Sequence, residues 1–323
     1  MLPKPKMEAP SPEPAEGERG LSNSERQSFT TCRKRWFWQY GRKYSPMTTP
    51  TPFLVGGAFH GVLAAFYSGE KLRSADVADL IAPEFDAVMK GEGAAFLSPE
   101  QLEDVEKQRT MAQGMCEAYL TVYAGDLKKW KVLEIEKKGH WQINNKWKMY
   151  FTIDLLIEKD DGIWVVEHKT TAAIDANYVS RLALDDQVST YMVGVKRAWD
   201  IKPKGVIYNV VLKPRIRQKK DELRNEYLNR VLGLYRDSAA EYLYRESLLC
   251  SKRDLDGFEK ELDLFTGEMD RAKEMEFYYR NTRACDNRGT CPYLPLCSEG
   301  EEQAKDRFTV RAERTQYEEG EPE

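Results

Sequence analysis

The chain has 323 residues, 41% hydrophobic and 11% aromatic, enough to bury a sizeable core and to exclude global disorder. Its formal charge of −4 and pI near 5.7 exclude a bulk basic protein, so any nucleic-acid contact must use a local patch. No apolar run approaches the ~18 residues of a membrane span, and the Pro-, Glu- and Lys-rich start does not resemble a signal peptide; a cytoplasmic protein is expected.

Residues 1–20 read as a disordered tail, and the Glu-rich end from 311 to 323 as a loose acidic one. Residues 22–40 look helical, with Ser22 and Glu25 at capping-box spacing. Three further helical stretches are expected at 58–68, 75–90 and 99–123. The pattern then changes: 131–138, 147–158 and 163–169 are short, rich in Val, Ile and aromatics, and divided by turn residues. Helical spacing returns over 176–199, where Leu184, Val188, Tyr191, Met192, Val195 and Trp199 form one stripe. A strand is expected at 205–212 (GVIYNVVL), a long helix at 222–250 and a shorter one at 268–279. This order predicts an α/β core on a small sheet with helices around it.

The two strands 147–158 and 163–169 meet at Asp160-Asp161-Gly162, a hairpin signal. A loop of Asp160-Asp161 places Asp154 opposite Glu167; a loop of Asp161-Gly162 places it opposite Lys169. Both registers bring Asp154, Glu167 and Lys169 to one face, with Ile153, Leu155, Trp164 and Val166 on the other. Two carboxylates and an ammonium on one sheet face suit a hard divalent ion, Mg²⁺ or Mn²⁺, that activates water against a phosphodiester. Lys169 would orient that water and offset developing charge. The plainer alternative is a salt-bridged, solvent-facing hairpin. Glu136, on the preceding strand, is a candidate supporting carboxylate.

Six cysteines are present: Cys32, Cys116, Cys250, Cys285, Cys291 and Cys297. Cys285, Cys291 and Cys297 crowd near the C-terminus, a spacing that favours a metal or cluster site over disulfides. Cys116 and Cys250 fit packed core thiols. The basic run 213–220 (KPRIRQKK) fits either phosphate contacts or a solvated loop. Arg33, Lys34 and Arg35, beside Trp36, Phe37, Trp38 and Tyr40, fit either a single-strand stacking path or core packing.

Asp154 … Glu167-His168-Lys169 resembles the D…(D/E)xK signature of PD-(D/E)XK nucleases. Gly57-Ala-Phe-His60 resembles the upstream histidine motif of the RecB-like branch, and Gln187-Val-Ser-Thr-Tyr191 its QxxxY motif. Thr31-Cys32-Arg-Lys-Arg-Trp36 with the three C-terminal cysteines resembles the iron–sulfur subgroup, which includes AddB, the CRISPR-associated exonucleases and phage exonucleases. In that subgroup the first two C-terminal cysteines are commonly closer together than here.

The resemblance implies a restriction-endonuclease-like α/β core, a small mixed sheet flanked by helices, in a single domain over 21–310 with a helical insertion at about 70–130. It implies His60, Asp154 and Glu167 as metal ligands, nitrogen ligation tilting the preference toward Mn²⁺. The backbone carbonyl of His168 is a further candidate ligand, its side chain being structural; His140 is expected at the surface. Gln187 and Tyr191 would orient substrate and active-site groups. Cys32, Cys285, Cys291 and Cys297 would hold a [4Fe–4S] cluster clasping the N- and C-terminal helical segments; zinc and free thiols are the rivals.

The activity implied is a DNA exonuclease acting on ends, single-stranded ones first, in recombination, repair or phage DNA processing. With no GxxxxGK[ST] loop in the sequence, a helicase or recombinase would be a partner, and a homo-oligomer is compatible. The alternatives are a DNA-binding or assembly subunit with a vestigial site, and a zinc-stabilised adaptor without nuclease activity.

Overall fold

The sheet takes its order from where apolar strands can bury both faces. In the computed structural model, which describes residues 19–47, 51–91, 94–95, 97–182, 184–250, 254–286 and 289–311, the chain runs as follows. β1 (Arg19–Ser22) leads into α1 (Asn23–Thr31), α2 (Arg33–Trp36), a π-helical turn (Phe37–Gly41) and β2 (Tyr44–Pro46). Helices α3 (Thr51–Tyr67), α4 (Ser74–Lys90), α5 (Pro99–Val122) and α6 (Asp126–Lys129) follow. β3 (Lys131–Gln142), β4 (Trp147–Lys159) and β5 (Gly162–Thr171) form the meander, then α7 (Ala176–Leu182), α8 (Asp186–Trp199) and β6 (Gly205–Leu212). α9 (Arg224–Asp237), α10 (Ala239–Tyr242), β7 (Leu243–Leu249) and α11 (Leu255–Glu274) complete the core. α12 (Leu294–Ser298), α13 (Glu301–Ala304) and β8 (Phe308–Val310) close the chain.

The main sheet has the order β1-β4-β5-β6-β7, with β3 on the other edge of β4. It is mixed: β3–β4, β4–β5 and β6–β7 are antiparallel, β1–β4 and β5–β6 parallel. β6 is buried over all but its last residue, as a central parallel strand should be. One apolar cluster fills the space between the sheet and α3, α4, α5 and α9; a second lies between the sheet and α1, α8 and α11. Each fully buried aliphatic or Phe side chain contributes about 1.5–3 kcal/mol. Gly194 lets α8 approach closely: a Cβ there would stand 2.6 Å from Phe151 of β4.

Several expectations change. The 176–199 helix is broken into α7 and α8 with Leu184 exposed between them, and the 268–279 helix is the end of α11, which spans Leu255–Glu274. The 222–250 helix ends at Tyr242, and Leu243–Leu249 is a strand on the edge of β6. The 22–40 helix is broken at Cys32, whose backbone is extended. Ser22 does cap α1, accepting from the Glu25 N–H at 3.2 Å, but Glu25 turns inward to accept from the Trp36 indole at 3.0 Å. Arg19 and Gly20 belong to β1, not to the expected tail; residues 1–18 and 312–323 lie outside the described ones. Trp36 and Trp38 are buried, which removes them from a stacking path. Cys116 is buried in the core as expected, and Cys250 is half-buried. Among the described residues no helix is long and apolar enough to cross a membrane.

Candidate active site

β4 changes partners along one edge. β1 pairs with Trp147–Tyr150 and β5 with Leu155–Lys159, so Asp154 sits where β5 departs. The hairpin closes as Lys159 opposite Gly162, the two-residue Asp160-Asp161 loop, and this register places Asp154 across from Glu167. The strand also rolls there. Met149, Phe151 and Ile153 pack on the α8 side, whereas Leu155 and Ile157 pack on the α3 side. Side chains two apart normally share a face. The expected common face for Ile153 and Leu155 is therefore lost, and Asp154 is the pivot. Facing this pivot on β3, between the Ile135–Leu155 and Lys137–Ile153 pairs, Glu136 has φ +47°, a left-handed conformation costly for a non-glycine residue.

The roll brings donors from three elements together. His60 of α3 places Nδ1 3.4 Å from Asp154 Oδ1 and 3.9 Å from Glu136 Oε1. Among the described residues, His60, Glu136 and Asp154 are the group whose ligand atoms all lie within 4.8 Å of one another. The other oxygen of Asp154 accepts the His168 backbone N–H at 2.6 Å. Glu167 lies across the sheet edge and is engaged on both oxygens. Oε1 is ion-paired to Lys169, and Oε2 accepts the Tyr191 hydroxyl at 2.7 Å. Gln187 Nε2 in turn donates to Tyr191 Oη. Four residues apart on α8, Gln187 and Tyr191 form a relay onto Glu167. Asp185 caps this helix by accepting from the Gln187 N–H at 2.8 Å.

The electrostatics are those of crowded acids. Burial and the Asp154 charge push Glu167 up to about 7, against Lys169 and Tyr191. Burial and the same charge raise Glu136, though its side chain remains 43% exposed. Burial disfavours charge on His60, but the Asp154 hydrogen bond and the surrounding carboxylates raise it to about 9. Burial also opposes charge on Asp154, yet the His60 hydrogen bond and charge hold it below the usual range. Lys169 is raised despite its burial, chiefly by Glu167. Negative charge concentrated here is compensated by protons, and a divalent cation would replace them.

His168 points the other way, as expected, into a buried polar network. Its ring stacks on Tyr67, and burial lowers its pKa to about 3. Arg245 of β7 pairs with Asp126, its two terminal nitrogens lying 3.0 and 2.7 Å from the carboxylate oxygens. Its Nε donates to Asn209 Oδ1. Asn209 Nδ2 donates to Tyr119 Oη at 3.0 Å and meets His168 Nδ1 at 3.2 Å. Tyr67 donates to Asp126 at 2.8 Å and meets Tyr119 at 2.9 Å. Because Arg245 only donates, this chain makes Nδ1 the acceptor and leaves the His168 proton on Nε2, buried without a protein partner. The network fixes the strand residue whose backbone holds Asp154. Sequence reading missed it; an Asn inside the apolar run GVIYNVVL was the available signal. His140 is half-buried against Tyr150.

Cys32, Cys285, Cys291 and Cys297 lie in the N- and C-terminal segments that meet through the Asn281–Cys32 and Trp38–Cys297 contacts. Cys32 Sγ accepts the Asn281 N–H at 3.3 Å, and Cys297 Sγ the Trp38 indole at 3.2 Å. Cys291 N donates to the Cys285 carbonyl at 2.7 Å. Burial raises the Cys291 thiol, and Cys285 and Cys297 add to the shift. Trp38, Tyr44, Tyr293, Leu296 and Phe308 pack this junction, and β2 pairs with β8 across it. Among the described residues no three cysteine sulfurs lie within 4.8 Å of one another.

Against this geometry, the family model described as the PD-(D/E)XK nuclease superfamily matches residues 20–298. The chain belongs to the PD-(D/E)XK nuclease superfamily. Asp154 lies on β4, and Glu167 and Lys169 on β5, within the matched residues. A solved structure described as the crystal structure of SSO0001 is similar at 12% identity and a TM-score of 0.31, covering 79% of this chain and 87% of that one. That likeness is too slight to bear on the PD-(D/E)XK assignment. No curated protein matches the chain.

Proposed function

We propose that this PD-(D/E)XK member is a metal-dependent DNA exonuclease acting on ends, single-stranded ends first. The observation that carries the reading is the His60, Glu136 and Asp154 donor group, set beside Glu167 and Lys169 where the sheet splits. One imidazole and two carboxylates suit Mn²⁺ or Mg²⁺, and the raised pKa of His60 and Glu136 marks a site that calls for a cation. His60, Glu136 and Asp154 would hold the ion, with Glu167 facing it. When bound, the ion polarises a phosphodiester oxygen and lowers the pKa of a water.

The chain's own groups do the rest. The His168 N–H fixes one oxygen of Asp154, leaving the other toward His60. Tyr191, backed by Gln187, restrains Glu167. Lys169, one-third exposed, is placed to orient the attacking water and to offset charge on the phosphorane-like transition state. His168 acts through its backbone and its network rather than as a side-chain ligand.

Cys32, Cys285, Cys291 and Cys297 would hold a [4Fe–4S] cluster that clasps the chain ends. Three of these cysteines fall within thirteen residues, and Cys32 meets the same C-terminal segment through the Asn281 N–H, which supports this. Zinc is the second reading: ligands about 2.3 Å from a tetrahedral zinc stand roughly 3.8 Å apart, closer than these sulfurs lie as a set. Iron and zinc analysis of protein kept anaerobic decides between them. Zinc without iron would move the protein toward the adaptor alternative.

The activity test is cleavage of end-labelled linear and of circular single-stranded DNA with Mn²⁺ or Mg²⁺, by wild type and Lys169→Ala. Degradation of the linear strand by wild type alone, sparing the circle, is expected. Cutting of the circle would make it an endonuclease. If wild type cut neither while its iron–sulfur absorbance was intact, a DNA-binding or assembly subunit would be the better reading. A helicase or recombinase partner, and a place in recombination, repair or phage DNA processing, fit an exonuclease of this kind.

A further inference from the structure

We propose that the segment 213–220 is a phosphate-binding strip that guides a DNA single strand into the active site. The inference rests on the nuclease reading and adds where the substrate backbone lies. The segment leaves β6 beside the catalytic strand: the Lys213 N–H donates to the Thr171 carbonyl at 2.7 Å, two residues beyond Lys169. From there burial alternates. Pro214 is buried, Ile216 packs against the α3–α5 cluster and Gln218 is half-buried, whereas Arg215, Arg217, Lys219 and Lys220 are exposed. Over 214–219 that is the pattern of extended chain, in which alternate side chains, here Arg215, Arg217 and Lys219, stand about 6.6 Å apart along one edge; Lys220 follows in the turn.

The strip is held from behind by its backbone. Tyr227 Oη donates to the Ile216 carbonyl at 3.1 Å, and Arg230 Nη2 to the Arg217 carbonyl at 2.8 Å. Gln218 Nε2 donates to the Glu222 carbonyl at 2.7 Å, and the Lys219 N–H to Glu222 Oε2 at 2.8 Å. None of these bonds uses a cationic head of the strip. Among the described residues no carboxylate pairs with Arg215, Arg217 or Lys220. Glu222, the acid near Lys219, is taken by Arg230 at 2.7 Å. In a chain with 53 acidic and 49 basic side chains, three cations held outward on a clamped edge beside β5, with Lys220 at the turn that ends it, are a local excess. A polyanion with regularly spaced charges matches that edge, without regard to base sequence.

The test is anisotropy of a labelled oligothymidylate with the full chain in EDTA, where no cleavage occurs, across a NaCl series. Wild type is compared with the Arg215→Ala, Arg217→Ala, Lys219→Ala, Lys220→Ala combination and with Arg215→Lys, Arg217→Lys. Removing four phosphate contacts is expected to flatten the log K against log salt slope by about 2.8, at roughly 0.7 per contact, while the lysine variant keeps its slope. An alanine combination with the wild-type slope overturns the strip, as does weakened binding whose salt slope is unchanged. Because binding is read without cleavage, wild type that binds but never cuts with Mn²⁺ would sink the nuclease reading and leave the strip standing.

Discussion

The carboxylate centre and the cysteine junction are assembled in opposite ways. At the centre Asp154 and Glu167 are each held by a hydrogen-bond donor. His168 N–H holds Asp154, Tyr191 holds Glu167, and Arg245 backs the whole through Asn209. Like charge crowds Glu136, Asp154 and Glu167 together there. At the cysteine junction, aromatic packing gathers the thiols, and the thiols do little for one another. The difference teaches what each region contributes: the first concentrates like charge, and the second joins β2 to β8.

The comparison can be broken by substitution. The largest effect is expected for Asp154→Asn, which should lower cleavage by at least roughly 10³-fold, about 4 kcal/mol of barrier. Its melting temperature without metal should stay nearly level, because relief of Glu136 and Glu167 offsets the lost pairing of Asp154 with His60; scanning calorimetry reads this. Next is Arg245→Met. It leaves Asp126 buried and unpaired and should cost about 3 kcal/mol in urea unfolding, the low end for such pairs because Arg245 is 24% exposed. Cys285→Ser should do the reverse of Asp154→Asn. Iron content should fall, and the melting temperature should drop by several degrees at roughly 2–4 °C per kcal/mol.

The smallest effect is in pH. Glu167 rises on folding from 4.5 to about 7, and His60 from 6.5 to about 9. Both bind protons more tightly folded than unfolded, so their contribution to stability without metal is present below the unfolded value and lost as pH rises through the folded one. Mn²⁺ must displace these protons. Its affinity should increase between about pH 6 and 9 with proton release, read by titration calorimetry in buffers of different ionisation enthalpy.

Much of this was legible in the sequence because the hairpin is local. Asp160-Asp161-Gly162 and the alternation on either side give two registers for a two-residue loop, with a three-residue loop breaking their parity, and the structure takes the Glu167 one. Gln187 and Tyr191 come from the resemblance to the QxxxY motif, helical spacing puts them on one face, and the hydrogen bond from Tyr191 to Glu167 is a finding of the structure. Glu136 was weakly legible, since its role depends on a left-handed backbone that no local pattern announces. β7 was read as helix because no Gly or Pro separates it from α9 and α10; it becomes a strand because the edge of β6 needs hydrogen-bond partners. The buried network joins Asp126, Asn209 and Arg245 across the fold, and only tertiary structure brings them together. Trp36 and Trp38 had the composition of a stacking surface, but their burial is set by the C-terminal segments that cover them.

The central claim is that the roll of β4 at Asp154 builds an ion site from His60, Glu136 and Asp154. Mn²⁺ binding to the wild-type chain and to Glu136→Gln, followed by electron paramagnetic resonance, tests it most directly. The account predicts one bound ion in the wild type and an affinity at least about tenfold lower in the variant, a loss of roughly 1.4 kcal/mol. Equal affinity in the two proteins, or no bound Mn²⁺ in either, would contradict it.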